Sequence, residues 1–180
     1  MSQRSSGTAS LFATLLAGLA GTGCGATPAE PTPVIIPVFS QAAATGPHGT
    51  HMRGADETPA RPTNATGQLV LKLAKDGSGI EYKLLVANIE DVLQAHIHLA
   101  PPGVPGPVIA WLYPSAPPAT LIPGRSDGIL AEGFIGDAQV VGPLAGQGVA
   151  GLLAAIRAGN AYANVHNVEF PPGAIRGQVD

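Results

Sequence analysis

The sequence predicts an all-β domain: an antiparallel β-sandwich with Greek-key-like connections and one short helix near residues 148–158. Two observations lead to this class. Glycine and proline, 24 and 18 of the 180 residues, are spread between short apolar runs. Several of those runs alternate apolar and polar residues, which is typical of strands with one face in a core. Short strands separated by frequent turns favour a sandwich or a barrel.

The first predicted elements are a strand and a hairpin. Residues Val34–Phe39 are apolar and β-branched, and Pro37 indicates an edge position. A long polar loop is expected over 41–63. Residues 67–73 and 80–86 both alternate, and the Asp-Gly-Ser-Gly turn between them predicts a β-hairpin.

The middle of the chain supplies three more predicted strands. Residues 92–99 alternate and carry two histidines. Residues 108–113 form an apolar run, and Trp111 within it is expected in the core. A proline-rich loop over 114–127 precedes a further strand over 129–135.

One segment departs from the strand pattern. Its apolar residues are spaced i, i+3, i+4 and i+7, which is helical periodicity. Arg157 and the glycine and asparagine at 159–160 are helix-stop signals, so a helix is predicted over 148–158. Closing strands are expected over 161–167 and 174–179. Together the elements predict a sandwich of the immunoglobulin or superoxide-dismutase type.

The first 23 residues are typical of an export signal. Ala9–Ala20 is apolar and too short to span a bilayer, which needs ~20 residues. The small residues that follow predict a lipoprotein-type signal peptide over 1–23, with lipidation of Cys24. Gly21 stands where the lipoprotein pattern usually has leucine, so ordinary signal-peptidase cleavage is the alternative.

The residues after the signal peptide predict how the domain is connected to the membrane. Residues 24–33 are proline-rich and favour an extended tether, and the domain is expected over 34–180. With a lipid on Cys24 the protein would be anchored to a bacterial membrane. Without it, the protein would be secreted or periplasmic.

Charge, cysteine content and motifs limit the classes of function that the sequence supports. The net charge is −3, and the nine lysines and arginines are scattered, so no nucleic-acid-binding patch is visible. Cys24 is the only cysteine, which excludes an intramolecular disulfide. The sequence has no nucleophile elbow, acid–base carboxylate pair or dinucleotide motif. These observations favour a protein that is not an enzyme.

Three histidines are the candidate metal ligands. His96 and His98, at i and i+2 of one predicted strand, share a face, and His166 lies on the polar face of another. If the two strands are neighbours, three imidazoles can surround one Zn or Cu ion. The alternative is that these rings hydrogen-bond to the backbone or to polar neighbours and fix strand register.

Three further residues are expected to form a polar cluster beside the histidines: Asn164, Arg176 and Gln178. Arg176 is expected to form a salt bridge or to bond a loop carbonyl; the alternative is a contact with a ligand carboxylate. His48 and His51 are expected to be solvated loop residues.

Several short motifs, in this order along the chain, resemble the CHRD (chordin-type) domain family. They include residues 95–98, 106–109, 162–166 and 172–178. The resemblance implies an extracytoplasmic, β-rich domain with no established catalytic activity. Ala174 stands where the family usually has glutamate, so any role of that carboxylate would be missing at this position.

These observations predict an exported module of the cell envelope that binds or supports without catalysis. Its expected ligand is an extracytoplasmic protein or polysaccharide of unknown identity. The alternative is a Cu- or Zn-binding protein that uses His96, His98 and His166, with a redox or metal-handling role.

Overall fold

The structure is a computed structural model that describes residues 47–180. The expected signal peptide, the lipidation site at Cys24, the tether and the predicted strand Val34–Phe39 lie outside the described residues. Within 47–180, no helix has the length and hydropathy needed to cross a membrane.

Seven strands and one α-helix make up the described chain. The strands are β1 (His48–Arg53), β2 (Thr66–Leu73), β3 (Ile80–Leu99), β4 (Val108–Tyr113), β5 (Ile122–Ile135), β6 (Ala161–Asn167) and β7 (Ile175–Gln178). The helix is α1 (Gly148–Arg157), and short 3-10 turns cover Gly54–Asp56, Asp137–Gln139 and Gly142–Leu144. Every strand pair is antiparallel. The predicted all-β class with one short helix is confirmed.

Strand β3 organises the sheet because its two halves pair with different strands. Residues 80–87 pair with β2, and β5 lies on the other side of that half. The half that ends at Leu99 pairs with β6 and β4. The strand order β2-β1-β7-β6-β3-β4, together with the second contact between β2 and β3, closes the sheet on itself. The result is an antiparallel, barrel-like sandwich.

A bend separates the two halves of β3. Asn88 and Asp91 have φ angles of 56° and 50°, in the left-handed region. The register with β5 shifts around these residues, as at a β-bulge. The Asp127 carboxylate accepts a hydrogen bond from the backbone N–H of Asn88 at 2.8 Å, and the Asp91 carboxylate accepts one from the backbone N–H of Gly124 at 2.7 Å. These bonds hold the bend that redirects the second half of β3 towards β6.

The core lies on one face of the closed sheet. In the second half of β3 and in β6 and β7 the odd-numbered residues face it and are fully buried: Ala95, Ile97, Ala163, Val165 and Ile175. In the first half of β3 the even-numbered residues from Ile80 to Val86 face it. The predicted helix is confirmed, since its four periodic apolar residues are all buried against this core. All seven positions of β6 are buried, because loops cover its polar face as well.

Three predictions about strand boundaries are wrong. The expected loop over 41–63 contains β1, whose sequence lacks clear alternation and which is held by backbone pairing with β2 and β7. The predicted strands over 80–86 and 92–99 are one bent strand. The proline-rich loop over 114–127 ends early, since β5 begins at Ile122 and follows the bend of β3.

The bend makes a testable prediction about Asn88. The Asn88→Gly and Asn88→Ala variants lose the same side-chain contacts, so their difference isolates the backbone conformation. Because alanine is disfavoured at positive φ, we expect Asn88→Ala to have a free energy of unfolding about 1 kcal/mol lower than Asn88→Gly. Urea denaturation of the two variants measures this difference. An alanine variant at least as stable as the glycine variant would contradict the described bend.

Candidate functional site

The polar residues of β3, β6 and β7 form one contiguous surface beneath the loops, here called the histidine face. His96 lies opposite Asn164, which lies opposite Arg176 on β7. One step along, His98 lies opposite Tyr162, and Tyr162 opposite Gln178. Strands β3 and β6 are neighbours, as a three-histidine site requires. The histidine face consists of His96, His98, Tyr162, Asn164, His166, Arg176 and Gln178.

The three histidines converge on one point. One ring nitrogen of each lies within 4.8 Å of the others. The side chains are buried, with 2% of His96, 7% of His98 and 6% of His166 exposed. In a tetrahedral zinc site with bonds of about 2.0–2.1 Å, ligand atoms lie about 3.4 Å apart. Modest ring movements would therefore bring all three nitrogens to one ion.

Two loop carbonyls fix the protonation of two of these rings. His98 donates from Nδ1 to the Gly106 carbonyl at 2.8 Å, and His166 donates from Nδ1 to the Pro171 carbonyl at 2.8 Å. A carbonyl only accepts, so each Nδ1 carries the proton and each Nε2 has a free lone pair in the neutral ring. Histidines that bind metals typically donate their other ring N–H to such a group.

The proton position on His96 is set by its contact with His166. His96 Nδ1 lies 3.2 Å from His166 Nε2, and that atom is an acceptor, so His96 donates. The remaining nitrogen, Nε2 of His96, then carries a lone pair. Nε2 of His96 and Nε2 of His98 are both buried and have no hydrogen-bond partner. A buried acceptor without a partner costs about 1–3 kcal/mol, and a bound cation would remove that cost.

The surroundings keep the rings neutral. Burial, together with the neighbouring His166 and His98, lowers the pKa of His96 from its usual 6.5 to about 3. Burial also lowers the pKa of His166 to about 4, although its bond to Pro171 opposes this. Burial lowers the pKa of His98 as well. Neutral imidazole is the form that binds metals, so near neutral pH all three rings are available as ligands.

Aromatic side chains enclose the histidines. Trp111 meets His96 edge-on, with ring centroids 4.2 Å apart, so the prediction that Trp111 lies in the core is wrong. Tyr162 stacks on His98, with centroids 4.8 Å apart and planes 6° apart. The Arg176 guanidinium carbon lies 3.4 Å from the Tyr162 ring centroid. This arrangement fixes the His98 ring through stacking and a cation–π contact.

The loop after β3 covers the histidine face. Arg176 donates to the Val104 carbonyl at 2.9 Å, and Gln178 donates to the Ala100 carbonyl at 3.0 Å. The Gly106 amide donates to the Tyr162 hydroxyl at 3.1 Å. A Cβ atom at Gly106 would lie only 2.0 Å from the Leu99 carbonyl oxygen. Glycine is therefore required for the close approach that brings the Gly106 carbonyl to His98.

Glu57 is a residue of this region that the sequence did not predict to lie at the site. Its half-buried carboxyl lies beside Asn164, within reach of the charges of Arg176 and Arg61. Burial raises its pKa, and the Thr58 amide and the Arg176 charge oppose that rise. The available signal was Ala174, which stands where the family usually has glutamate, two residues before Arg176. In this fold Glu57 is a carboxylate close enough to Arg176 for that charge to lower its pKa.

The two remaining histidines lie away from the site. His48 and His51 belong to β1, although both were predicted to be loop residues. Nδ1 of His48 lies 3.0 Å from the Asp180 carbonyl oxygen, and His51 is exposed. Within residues 47–180, the metal-ligand cluster of the structure contains His96, His98 and His166 and neither of these two.

The lowered pKa values predict that acid destabilises the metal-free domain. Unfolded histidines titrate near pH 6.5, whereas folded His96 and His166 have pKa values of about 3 and about 4. Below pH 6.5 protons therefore bind the unfolded chain first. The stabilising contribution is complete above this pH and is lost as the pH falls towards 4. Urea denaturation of EDTA-treated protein between about pH 7 and pH 4.5 measures the loss.

A matched pair of variants assigns this pH dependence. His96→Leu removes one such group, so we expect the slope of unfolding free energy against pH to decrease by up to about 1.4 kcal/mol per pH unit. His51→Gln, at an exposed position of β1, should retain the parent slope. Equal slopes in both variants would show that the histidine face does not cause the acid sensitivity.

A comparison with family models identifies the domain. The model of the CHRD domain matches residues 49–179, which include every residue of the histidine face. Neither the comparison with curated proteins nor that with solved structures gave a match. The family match spans well over half of the chain and agrees with the motifs noted in the sequence. The protein therefore belongs to the CHRD family, and residues 49–179 are its CHRD domain.

Proposed function

We propose that this protein is an exported, non-catalytic binding module whose CHRD domain holds a Zn or Cu ion through His96, His98 and His166. One observation carries the metal assignment. Three buried, neutral imidazoles converge, and Nε2 of His96 and of His98 have no hydrogen-bond partner. Several neutral imidazoles at one point suit zinc and copper better than harder cations such as Mg²⁺ or Ca²⁺.

The metal accounts for more of the site than hydrogen bonding does. If the histidines only fixed strand register, their second nitrogens would be expected to have partners as well, since most buried polar atoms do. Here the Nδ1 atoms of His98 and His166 bond loop carbonyls, whereas two Nε2 atoms remain unpaired within the cluster. A metal on Nε2 would leave the loop bonds of His98 and His166 in place. Its binding to His166 would replace the hydrogen bond that Nε2 of His166 accepts from His96.

Burial supports binding over catalysis. The three histidine side chains are at most 7% exposed, and the loop from Ala100 to Gly106 bonds directly to the residues around them. A catalytic ion keeps a coordination position open to water or substrate, whereas structural and storage sites are closed. The covered histidine face resembles the closed kind.

The cellular location in this proposal comes from the N-terminal sequence. The predicted signal peptide over 1–23, the lipidation site at Cys24 and the proline-rich tether would place the domain outside the cytoplasm. Membership of the CHRD family supports an extracellular-type binding or structural module.

Elemental analysis tests the metal assignment. We expect the mature protein, loaded with excess Zn²⁺ or Cu²⁺ and dialysed, to retain about one ion per chain. His98→Ala should abolish retention, while His51→Ala on β1 should retain as much as the parent. Trp111 is the only tryptophan and its ring contacts His96, so Cu²⁺ should quench its fluorescence in the parent but not in His98→Ala.

The same variants distinguish the structural alternative. A parent protein that retains no ion, together with a large drop in melting temperature for His98→Ala, would contradict the proposal. The histidines would then stabilise the covering loops through Gly106 and Pro171 without binding a metal.

A further inference from the structure

We infer that the side-chain oxygen of Asn164 is the fourth donor of the site, so that one ion is held by three imidazole nitrogens and one amide oxygen. This inference rests on the proposed metal site and adds which ion that site prefers. The expected ligand is a four-coordinate divalent ion, Zn²⁺, in preference to Cu⁺.

Asn164 has the right position on the sheet. It lies directly opposite His96 in the ladder of β3 and β6. On its own strand it is two residues before His166 and so shares its face, while His98 is a diagonal neighbour across the ladder. Its side chain is buried, with 3% exposed. Asn164 is therefore adjacent to all three histidines.

The two ends of the Asn164 amide face different surroundings. A Cβ atom built on Gly173 would lie 3.0 Å from Nδ2 of Asn164 and 2.2 Å from Oε1 of Glu57, so the amide nitrogen and the carboxylate meet beside Gly173. Nδ2 can only donate, so this end of the amide suits a position beside the carboxylate oxygen, which has no hydrogen-bond partner. Oδ1 consequently lies on the opposite side of the amide, and it is buried without a hydrogen-bond partner.

The amide also lies beside His98, its diagonal neighbour across the ladder of β3 and β6. His98 uses its one ring proton on Gly106, so in the neutral ring Nε2 is an acceptor, as is Oδ1 of Asn164. Neither atom has a hydrogen-bond partner. Buried lone pairs held in one polar site are unfavourable unless a positive group lies between them. A cation bound by both atoms removes that cost.

One water molecule would satisfy the site less completely. Five buried side-chain acceptors of the described residues lack partners. Two are Oε1 of Glu57 and Oε1 of Gln178, and the other three belong to the proposed ligands: Nε2 of His96, Nε2 of His98 and Oδ1 of Asn164. A water has two protons to donate, so one of these three acceptors would remain unpaired. A metal ion can accept electron pairs from all three atoms, and also from Nε2 of His166 once it replaces the hydrogen bond from His96.

The oxygen donor determines which metal the site prefers. Zn²⁺ is almost always four-coordinate in closed protein sites and accepts oxygen ligands. Cu⁺ favours soft donors and gains little from an amide oxygen. Removal of Asn164 should therefore weaken Zn²⁺ binding far more than Cu⁺ binding. Disruption of the fold would weaken both equally, so the ratio of the two affinities separates the explanations.

Chelator competition with the mature protein tests this inference. We expect Asn164→Ala to lower the affinity for Zn²⁺ by about 10–100-fold, and to change the affinity for Cu⁺ by less than about threefold. Asn164→Asp places a carboxylate oxygen at the same position and should restore Zn²⁺ binding. Asn64→Ala, at an exposed residue before β2, is the matched control and should change neither affinity.

The possible results separate the inference from the proposed function. Equal losses for Zn²⁺ and Cu⁺ in Asn164→Ala, or no loss for either, would overturn the fourth-donor assignment while leaving the three-histidine site intact. Failure of the parent protein to bind either ion would overturn both. Selective loss of Zn²⁺ affinity with rescue by Asn164→Asp would establish Asn164 as a ligand.

Discussion

Two backbone hydrogen bonds determine the chemistry of the histidine face. The carbonyls of Gly106 and Pro171 each accept a hydrogen bond of 2.8 Å from a histidine Nδ1. A carbonyl oxygen can only accept, so the proton must be on the histidine nitrogen. The two bonds therefore fix the tautomer and ring orientation of His98 and His166. The lone pairs on the opposite nitrogens are directed inward, where burial keeps the rings neutral. The position of the two loops therefore sets both the tautomers of His98 and His166 and the direction of their free lone pairs.

The long strand β3 brings the histidines and the loop carbonyls together. Its bend at Asn88 and Asp91 lets the first half pair with β2 while the second half pairs with β6. Only the second half carries histidines, and its pairing with β6 brings His166 to them. On the far side of β6, Arg176 lies against Tyr162 and bonds the loop that ends at Gly106. The three histidines and the loop that covers them are thus held by the same three strands.

Periodicity predicted the strands and the helix well, because alternation along a strand is local information. It correctly placed His96, His98 and Asn164 on the faces opposite the core. The pattern within one strand does not show which strands pair. Whether His166 lies close to the other two histidines therefore could not be predicted from the sequence. Glu57 was missed for the same reason: it lies in a segment predicted to be a loop, and only the fold brings it to Asn164. The continuity of β3 was missed because Asn88 and Asp91 resemble turn residues and sit inside a strand.

Anomalous X-ray diffraction from crystals of the zinc-loaded protein, recorded on both sides of the zinc absorption edge, tests whether the three histidines bind one ion. We expect one strong peak per chain at about 2.0–2.1 Å from a nitrogen of each of His96, His98 and His166, with the Gly106 and Pro171 bonds retained. No peak on the histidine face in fully loaded crystals, or a peak only at the exposed histidine of β1, would contradict it.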